Sequence, residues 1–325
     1  MYPPNPDIKI RPFAEDDYPA VVEIANRAFP EYPETIAEVQ HHDQHRNPAM
    51  LHRRFVAELE GRPVAAGQVQ HYEGMFHPRK FGLEVTVDPD HRQKGVGSAL
   101  FEQLRSCLEA EDPLALWTDA REDHPHSLRF VEKRGFVETM REWENHLRPD
   151  DFEPARWAGR IEAVEASGIR LATYAELEAE DPDFFRKFYE VADTVSADVP
   201  STEPHTPADY ALWVERKQSD PDLIKEGYFF ALDGDRYVGL STLSRPQSED
   251  FLYTGLTGVR RDYRRRGIAL ALKLRAIQFC RERSVPLVKT WNASTNVGML
   301  GINEALGFVK QPAWIAFALK LKEEA

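Results

Sequence analysis

Residues 91–109, HRQKGVGSALFEQLRSCLE, decide the fold of this chain, because they return at 263–282 as YRRRGIALALKLRAIQFCRE. In both stretches R-x-x-G-x-[GA] runs into apolar residues at helical spacing: Val96, Leu100, Leu104 and Leu108 in the first, Ile268, Leu272 and Ala276 in the second. That spacing lays one stripe along a helix and marks the stripe as core. Three landmarks set the register. Arg92 and Arg264, Gly135-Phe136 and Gly307-Phe308, and Gly67 and Gly239 are each 172 residues apart. One offset shared by three unrelated places identifies a duplication.

The 325 residues suit two domains, and 42% hydrophobic with 29% charged residues is enough to fill a core in each. The net charge of −13 makes a nucleic-acid or anionic-membrane partner an expected absence and weakly favours a cationic substrate. Cys107 and Cys280 have neither metal-ligand nor disulfide spacing, as expected in a reducing cytoplasm. The opening MYPPNPDIKIRPF has no apolar run of the signal-peptide kind, and no stretch of about 18 apolar residues occurs. A soluble, cytoplasmic protein is the expectation.

The copies start at Ile10-Arg11 and Ile169-Arg170, only 159 residues apart, so about thirteen extra residues precede Gly239 in the second copy. They are placed near SADVPSTEPHTP, where Thr206 reads as an N-cap and Pro207 as the first helical residue. The expected limits are a first domain at 1–150, a linker at 151–168 whose Trp157 packs on a lobe, and a second domain at 169–325. Within a copy the order is strand, helix, helix, a hairpin turning at Glu60-Gly61-Arg62, and a β-branched strand FGLEVTVD. The loop, its helix, a short strand, another helix and a closing strand such as AWIAFALKL follow. The fold class is α/β (α+β), each copy a mixed, mostly antiparallel sheet flanked by helices.

The chemistry sits where a strand gives way to the glycine loop and its helix. The first N–H groups of a helix have no intrahelical partner, and the positive end of the helix dipole lies behind them. Gly95 and Gly97, or Gly267 and Ala269, clear side chains so that a pyrophosphate can reach that backbone. A short glycine pattern alone is weak, and its bland reading is a turn. Neither G-x-G-x-x-G with an acidic ribose ligand nor G-K-[ST] is present.

This combination resembles the GNAT acetyltransferase superfamily at the loop, at the strand before it and at the later Gly-Phe pair, and it does so in both copies. The tandem arrangement resembles mycothiol synthase-type enzymes. The resemblance implies acetyl-CoA as co-substrate, no metal, and acetyl transfer to a small-molecule primary amine by direct attack in a ternary complex. It implies that Arg92, Gln93, Lys94, Gly95, Val96, Gly97 and Ser98, and Arg264, Arg265, Arg266, Gly267, Ile268, Ala269 and Leu270, hold the pyrophosphate. The strands at Val85 to Val87 and Thr257 to Val259 would pair with pantetheine as an added strand. Asn296 matches the helix asparagine of the family, where the first copy has His124.

The family's usual tyrosine acid is missing from both copies, replaced by Val131 and by Asn303, which can donate a hydrogen bond to sulfur but no proton. On motif fidelity the second copy is the better acyl-CoA site. Glu84 is the candidate base, with a solvent-facing strand residue as its bland reading, and a bulge in its strand would change the face it occupies. Tyr253 is a candidate for substrate binding or proton relay, against a packed aromatic. His41, His42, His45, His71 and His77 form no known ligand set and read as exposed histidines. Competing readings are a non-catalytic acyl-CoA scaffold and a protein or peptide N-acetyltransferase. A monomer, its two lobes paired internally, is the expected assembly.

Overall fold

The computed structural model describes residues 7–246 and 250–323, so the first six residues read above for a targeting segment lie outside it. The chain divides into two compact units, Met1–Thr139 with Ile315–Ala325, and Met140–Trp314. No helix among the described residues is long and apolar enough to cross a membrane.

The first unit runs β1 (Lys9–Pro12), α1 (Tyr18–Ala28), α2 (Ile36–Gln44), β2 (His52–Leu59), β3 (Arg62–Gln70), β4 (Lys80–Val87), α3 (Val96–Ser106), β5 (Ala115–Arg121) and α4 (Pro125–Glu132). The chain then enters β6 (Val137–Leu147), α5 (Arg160–Ala166), β7 (Ile169–Thr173), α6 (Tyr174–Glu180), α7 (Phe184–Ser196) and α8 (Tyr210–Ser219). It continues through β8 (Phe229–Asp233), β9 (Arg236–Ser244), β10 (Phe251–Val259), α9 (Ile268–Glu282), β11 (Leu287–Ala293), α10 (Val297–Leu306), β12 (Val309–Lys310) and β13 (Trp314–Lys320). Strand order is β1-β2-β3-β4-β5-β13 in the first unit and β7-β8-β9-β10-β11-β6 in the second, with β12 also on β6. Most neighbours are antiparallel, and β4–β5 and β10–β11 are parallel.

These units do not follow the expected limits of 1–150 and 169–325. Residues 142–147 of β6 pair with β11 inside the second unit, while β13 lies beside β5 in the first. Alternation in the sequence identifies a closing strand; which sheet edge it joins is a long-range choice that alternation does not encode. The stretch expected as a linker belongs to the second unit: Phe152, Ile161 and Val164 are in its core, and Trp157 packs against them. The expected cap at Thr206 is also displaced. Helix α8 begins at Tyr210, and the Asp209 carboxylate accepts from the Leu212 N–H at 2.9 Å. Residues ahead of it are held otherwise, the Ala208 carbonyl accepting from the Tyr189 hydroxyl at 2.7 Å.

The apolar stripe of α3 packs on Ala65, Val69, Phe81 and Leu83, and that of α9 on Val238, Leu252 and Val259. This contact explains the first landmark glycine. A β-carbon on Gly67 would stand 2.9 Å from Leu104 Cδ1, so helix and strand approach only without a side chain there, whereas one on Gly239 would stand 3.0 Å from the Gly258 carbonyl oxygen of the neighbouring strand β10.

One residue breaks the stripe pattern. Lys273 in α9 is 2% exposed, forms no hydrogen bond or ion pair among the described residues, and holds its ammonium 5.2 Å from the Phe308 ring centroid. Burial pulls its pKa down to about 7. The folded-state value lies below the unfolded one, so the unfolded chain binds the extra proton between the two, and stability falls as pH drops across that window. Lys273→Met is expected to raise the melting temperature by on the order of 5 °C at pH 7. The gain should shrink as pH is raised toward 10 and stay level below 7, as read by calorimetry across that range.

Candidate active site

The loop between β4 and α3 bends through two left-handed residues with one residue between them, Gln93 at φ 62° and Gly95 at φ 88°. The loop before α9 does the same with Arg265 at φ 66° and Gly267 at φ 80°. Successive N–H groups in such a turn can form an anion-binding concavity. Among the described residues, the N–H groups of Gln93, Lys94 and Gly95, and of Arg265, Arg266 and Gly267, donate to no partner. Val96 and Ile268 at the helix starts are buried and anchor the turns.

The first arginine of each motif is committed to shaping the loop. Arg92 Nε donates to the Val87 carbonyl at 3.4 Å and Arg264 Nε to the Val259 carbonyl at 3.1 Å, tying loop to strand end. A clasp from a preceding helix holds each junction, with opposite polarity. In the first unit Arg27 of α1 pairs with Asp88 at 2.5 Å and Asp90 at 2.6 Å. In the second, Asp198 beyond α7 pairs with Arg261 and Arg264. Residues 88–97 carry two Asp, one Arg and one Lys, whereas 260–269 carry five Arg and one Asp. By charge the second loop is the more cationic of the two. Arg266 lies over the Tyr263 ring at 4.9 Å, and Arg265 has no ion pair among the described residues. In the first unit the chain just beyond α4 adds a cation instead: Arg134 Nη2 donates to Ser98 Oγ at 2.8 Å and the guanidinium lies over the Phe130 ring. Gly97 is tight, its absent β-carbon falling 3.3 Å from Phe130 and Val87, while Ala269 and Leu270 pack on the second core.

Beside each loop a parallel strand pair comes apart. Pairing of β4 with β5 ends at Gly82↔Trp117, and that of β10 with β11 at Thr254↔Thr290, leaving the rest of β4 and β10 unpaired on that edge. Val85 and Val87, and Thr257 and Val259, lie in these free stretches while pairing with β3 and β9 on the other edge. A main chain with one free edge accepts an extended amide-bearing ligand as an added strand. The pairing of β4 with β3 stays in register with no bulge, while β10 carries one between Thr254 and Thr257. Unbroken alternation therefore turns Glu84 away from Leu83 and Phe81.

The two units differ most on this second face. In the first, Glu84 accepts from Gln68 Nε2 at 2.8 Å and from Gln70 Nε2 at 3.0 Å. Gln68 also accepts from Arg54 Nε at 3.1 Å, and Arg54 forks onto Asp43, which accepts from the Tyr18 hydroxyl and from Arg46. In the second, the positions 172 residues on from Gln68 and Glu84 are Leu240 and Leu256, and they join an aromatic core of Tyr174, Phe184, Phe188, Phe230 and Tyr237.

The remaining candidates have structural partners. Asn296 caps α10, its side chain accepting from the Met299 N–H at 3.3 Å, while His124 makes no such cap and stacks between Phe29 and His126. Asn303 is fully buried and donates to Asn292 Oδ1 at 2.6 Å, and among the described residues its own Oδ1 has no partner. Tyr253 rests edge-on against Phe251 at 4.9 Å. Val131 is core. Sequence reasoning missed Gln68, Gln70, Arg134 and Asp198; the alternating Q-V-Q of β3 opposite Glu84 was the available signal for the first two.

A family model described as the acetyltransferase (GNAT) family matches residues 18–136 and 186–308. A GCN5-related N-acetyltransferase from Sphaerobacter thermophilus shares the fold at TM-score 0.73 and 18% identity, covering 99% of this chain and 98% of that one. A tandem GNAT protein from the clavulanic acid biosynthesis pathway superposes at TM-score 0.75 and 20% identity, covering 98% of this chain and all of that one (100%). The [ribosomal protein bS18]-alanine N-acetyltransferase of Escherichia coli strain K12 is 34% identical over 56 residues, which is 17% of this chain and 38% of that protein's length. A glutamate at Gly267 would set a carboxylate in the second concavity on a left-handed backbone. Gly267→Glu is therefore expected to remove one of two acetyl-CoA equivalents seen by titration calorimetry, and the lost equivalent should be the more salt-sensitive.

Proposed function

Because this chain belongs to the GNAT acetyltransferase family, we propose that it transfers an acetyl group from acetyl-CoA to a small-molecule primary amine, by direct attack in a ternary complex, in its first unit. The observation that carries the choice of unit is the pair of glutamine amides fixing the Glu84 carboxylate beside the free edge of β4. Aliphatic and aromatic side chains fill the corresponding face of the second unit.

A transferable acetyl group needs a neutral amine, stabilisation of the developing oxyanion and a proton for the departing thiolate. Glu84 meets the first need: as a C–N bond forms at the thioester carbonyl, the amine proton passes to its carboxylate. Main-chain N–H groups on the unpaired edge of β4 supply donors for the second. Among the described residues Glu84 forms no ion pair, whereas Asp43 is neutralised by Arg54 and Arg46. Its unspent charge favours a cationic acceptor, in keeping with the net charge of −13.

The arginine-rich loop supports a second role in the same chain, acyl-CoA binding without transfer in the second unit. A protein or peptide acceptor is the competing reading, raised by the bS18-alanine enzyme. Turnover is to be read as thiol release from acetyl-CoA against a panel of amino sugars, amino acids, diamines and short peptides. Glu84→Gln is expected to lower kcat roughly 100-fold or more with the best acceptor while acetyl-CoA affinity stays within about twofold. Undiminished kcat would move the transfer out of the first unit, and turnover confined to peptides would replace the small-molecule acceptor.

A further inference from the structure

Resting on the first-unit reading, we infer that Tyr72, in the turn between β3 and β4, is the catalytic residue that gives its hydroxyl proton to the departing thiolate. A β-carbon built on Gly82 would lie 2.5 Å from the Tyr72 hydroxyl oxygen, so the phenol occupies the space a side chain would take there. Gly82 is the last residue of β4 paired with β5, and its partner Trp117 stacks on the Tyr72 ring at 6.0 Å and 19°. The hydroxyl thus sits where the two strands part, on the face that presents Glu84 two residues further along β4. Among the described residues it has no hydrogen-bond partner.

Tyr72 is half-buried, and its hydroxyl, with no protein partner among the described residues, is open to a ligand entering where the strands part. A thiolate leaving there would accept from it. Burial, helped by the negative charges of Glu84 and Asp119, pushes the phenol above its ordinary value, so the hydroxyl enters the reaction protonated. The proton count closes. The amine loses one proton to Glu84 as the C–N bond forms, the C–S bond breaks, and sulfur takes the Tyr72 proton. Proton return from the Glu84 carboxyl, directly or through water, restores both groups and leaves amide and CoA thiol.

The second copy has lost the whole arrangement. The positions 172 residues on from Tyr72, Gly82 and Glu84 are Ser244, Thr254 and Leu256. The absence of a tyrosine at Val131 is therefore answered in the first copy from another part of the fold.

Tyr72→Phe deletes an oxygen without a protein partner, so the melting temperature should stay within about 2 °C of wild type. With the best acceptor of the panel, kcat should fall about 100-fold, with the acetyl-CoA dissociation constant within about twofold. A kcat within threefold of wild type, or a loss confined to KM, overturns the proposal. Run beside it, Glu84→Gln separates the two claims: loss in Glu84→Gln alone removes Tyr72 and keeps the first-unit reading, and loss in neither removes both. A binding readout needs no acceptor. In a Gly267→Glu background, CoA should bind more tightly as pH rises from 7 to 9 and its thiol ionises, and Tyr72→Phe should abolish that rise. An equal rise in both proteins would show that the hydroxyl does not touch the sulfur.

Discussion

Both junctions depend on one backbone constraint: two left-handed residues with a single residue between them, at 93 and 95 and again at 265 and 267. That turn leaves consecutive amides without a partner among the described residues while a helix starts on the next residue. Glycine makes the second left-handed position inexpensive, and the guanidinium of Arg92 or Arg264, bonded to the carbonyl that ends the strand, holds the first. The helix stripe then fixes the turn against the sheet, so loop, core and the free strand edge are parts of one geometric solution.

The duplicated architecture was legible because it rests on residues with few substitutes. A glycine at 67 is demanded by the helix lying on it, one at 239 by the strand beside it, and the loop glycines by their φ angles, so all recur at one spacing. The destination of β6 and β13 was not legible. A strand's own alternation is the same whichever edge receives it, and the choice rests on partners more than a hundred residues away. The displaced cap at Asp209 is a smaller case of the same kind, since Thr206-Pro207 satisfies the local rule while tertiary hydrogen bonds hold the chain before the helix elsewhere.

At the site, main-chain chemistry could be read from sequence and side-chain chemistry only in part. Glu84 was found because a carboxylate in an otherwise apolar strand is unusual. Its glutamine partners depend on the register of β3 against β4, which no local pattern in either strand encodes. Tyr72 carries no motif: its position follows from Gly82, ten residues later, which leaves room for its ring. By motif fidelity the second copy looked the more complete, and its arginine-rich loop agrees. The face opposite its core helix is filled with rings, a difference that no pattern around the loop could reveal.

The opposed clasps bear on how such a chain avoids confusing its own halves. Two copies of one fold made in succession on one ribosome present nearly interchangeable helices and loops while the second is still emerging. Arg27 brought to the second loop would meet Arg261 and Arg264, and Asp198 brought to the first would meet Asp88 and Asp90. Each wrong docking sets like charges together and strands the partners they should have met, a cost that the native docking of each helix does not carry.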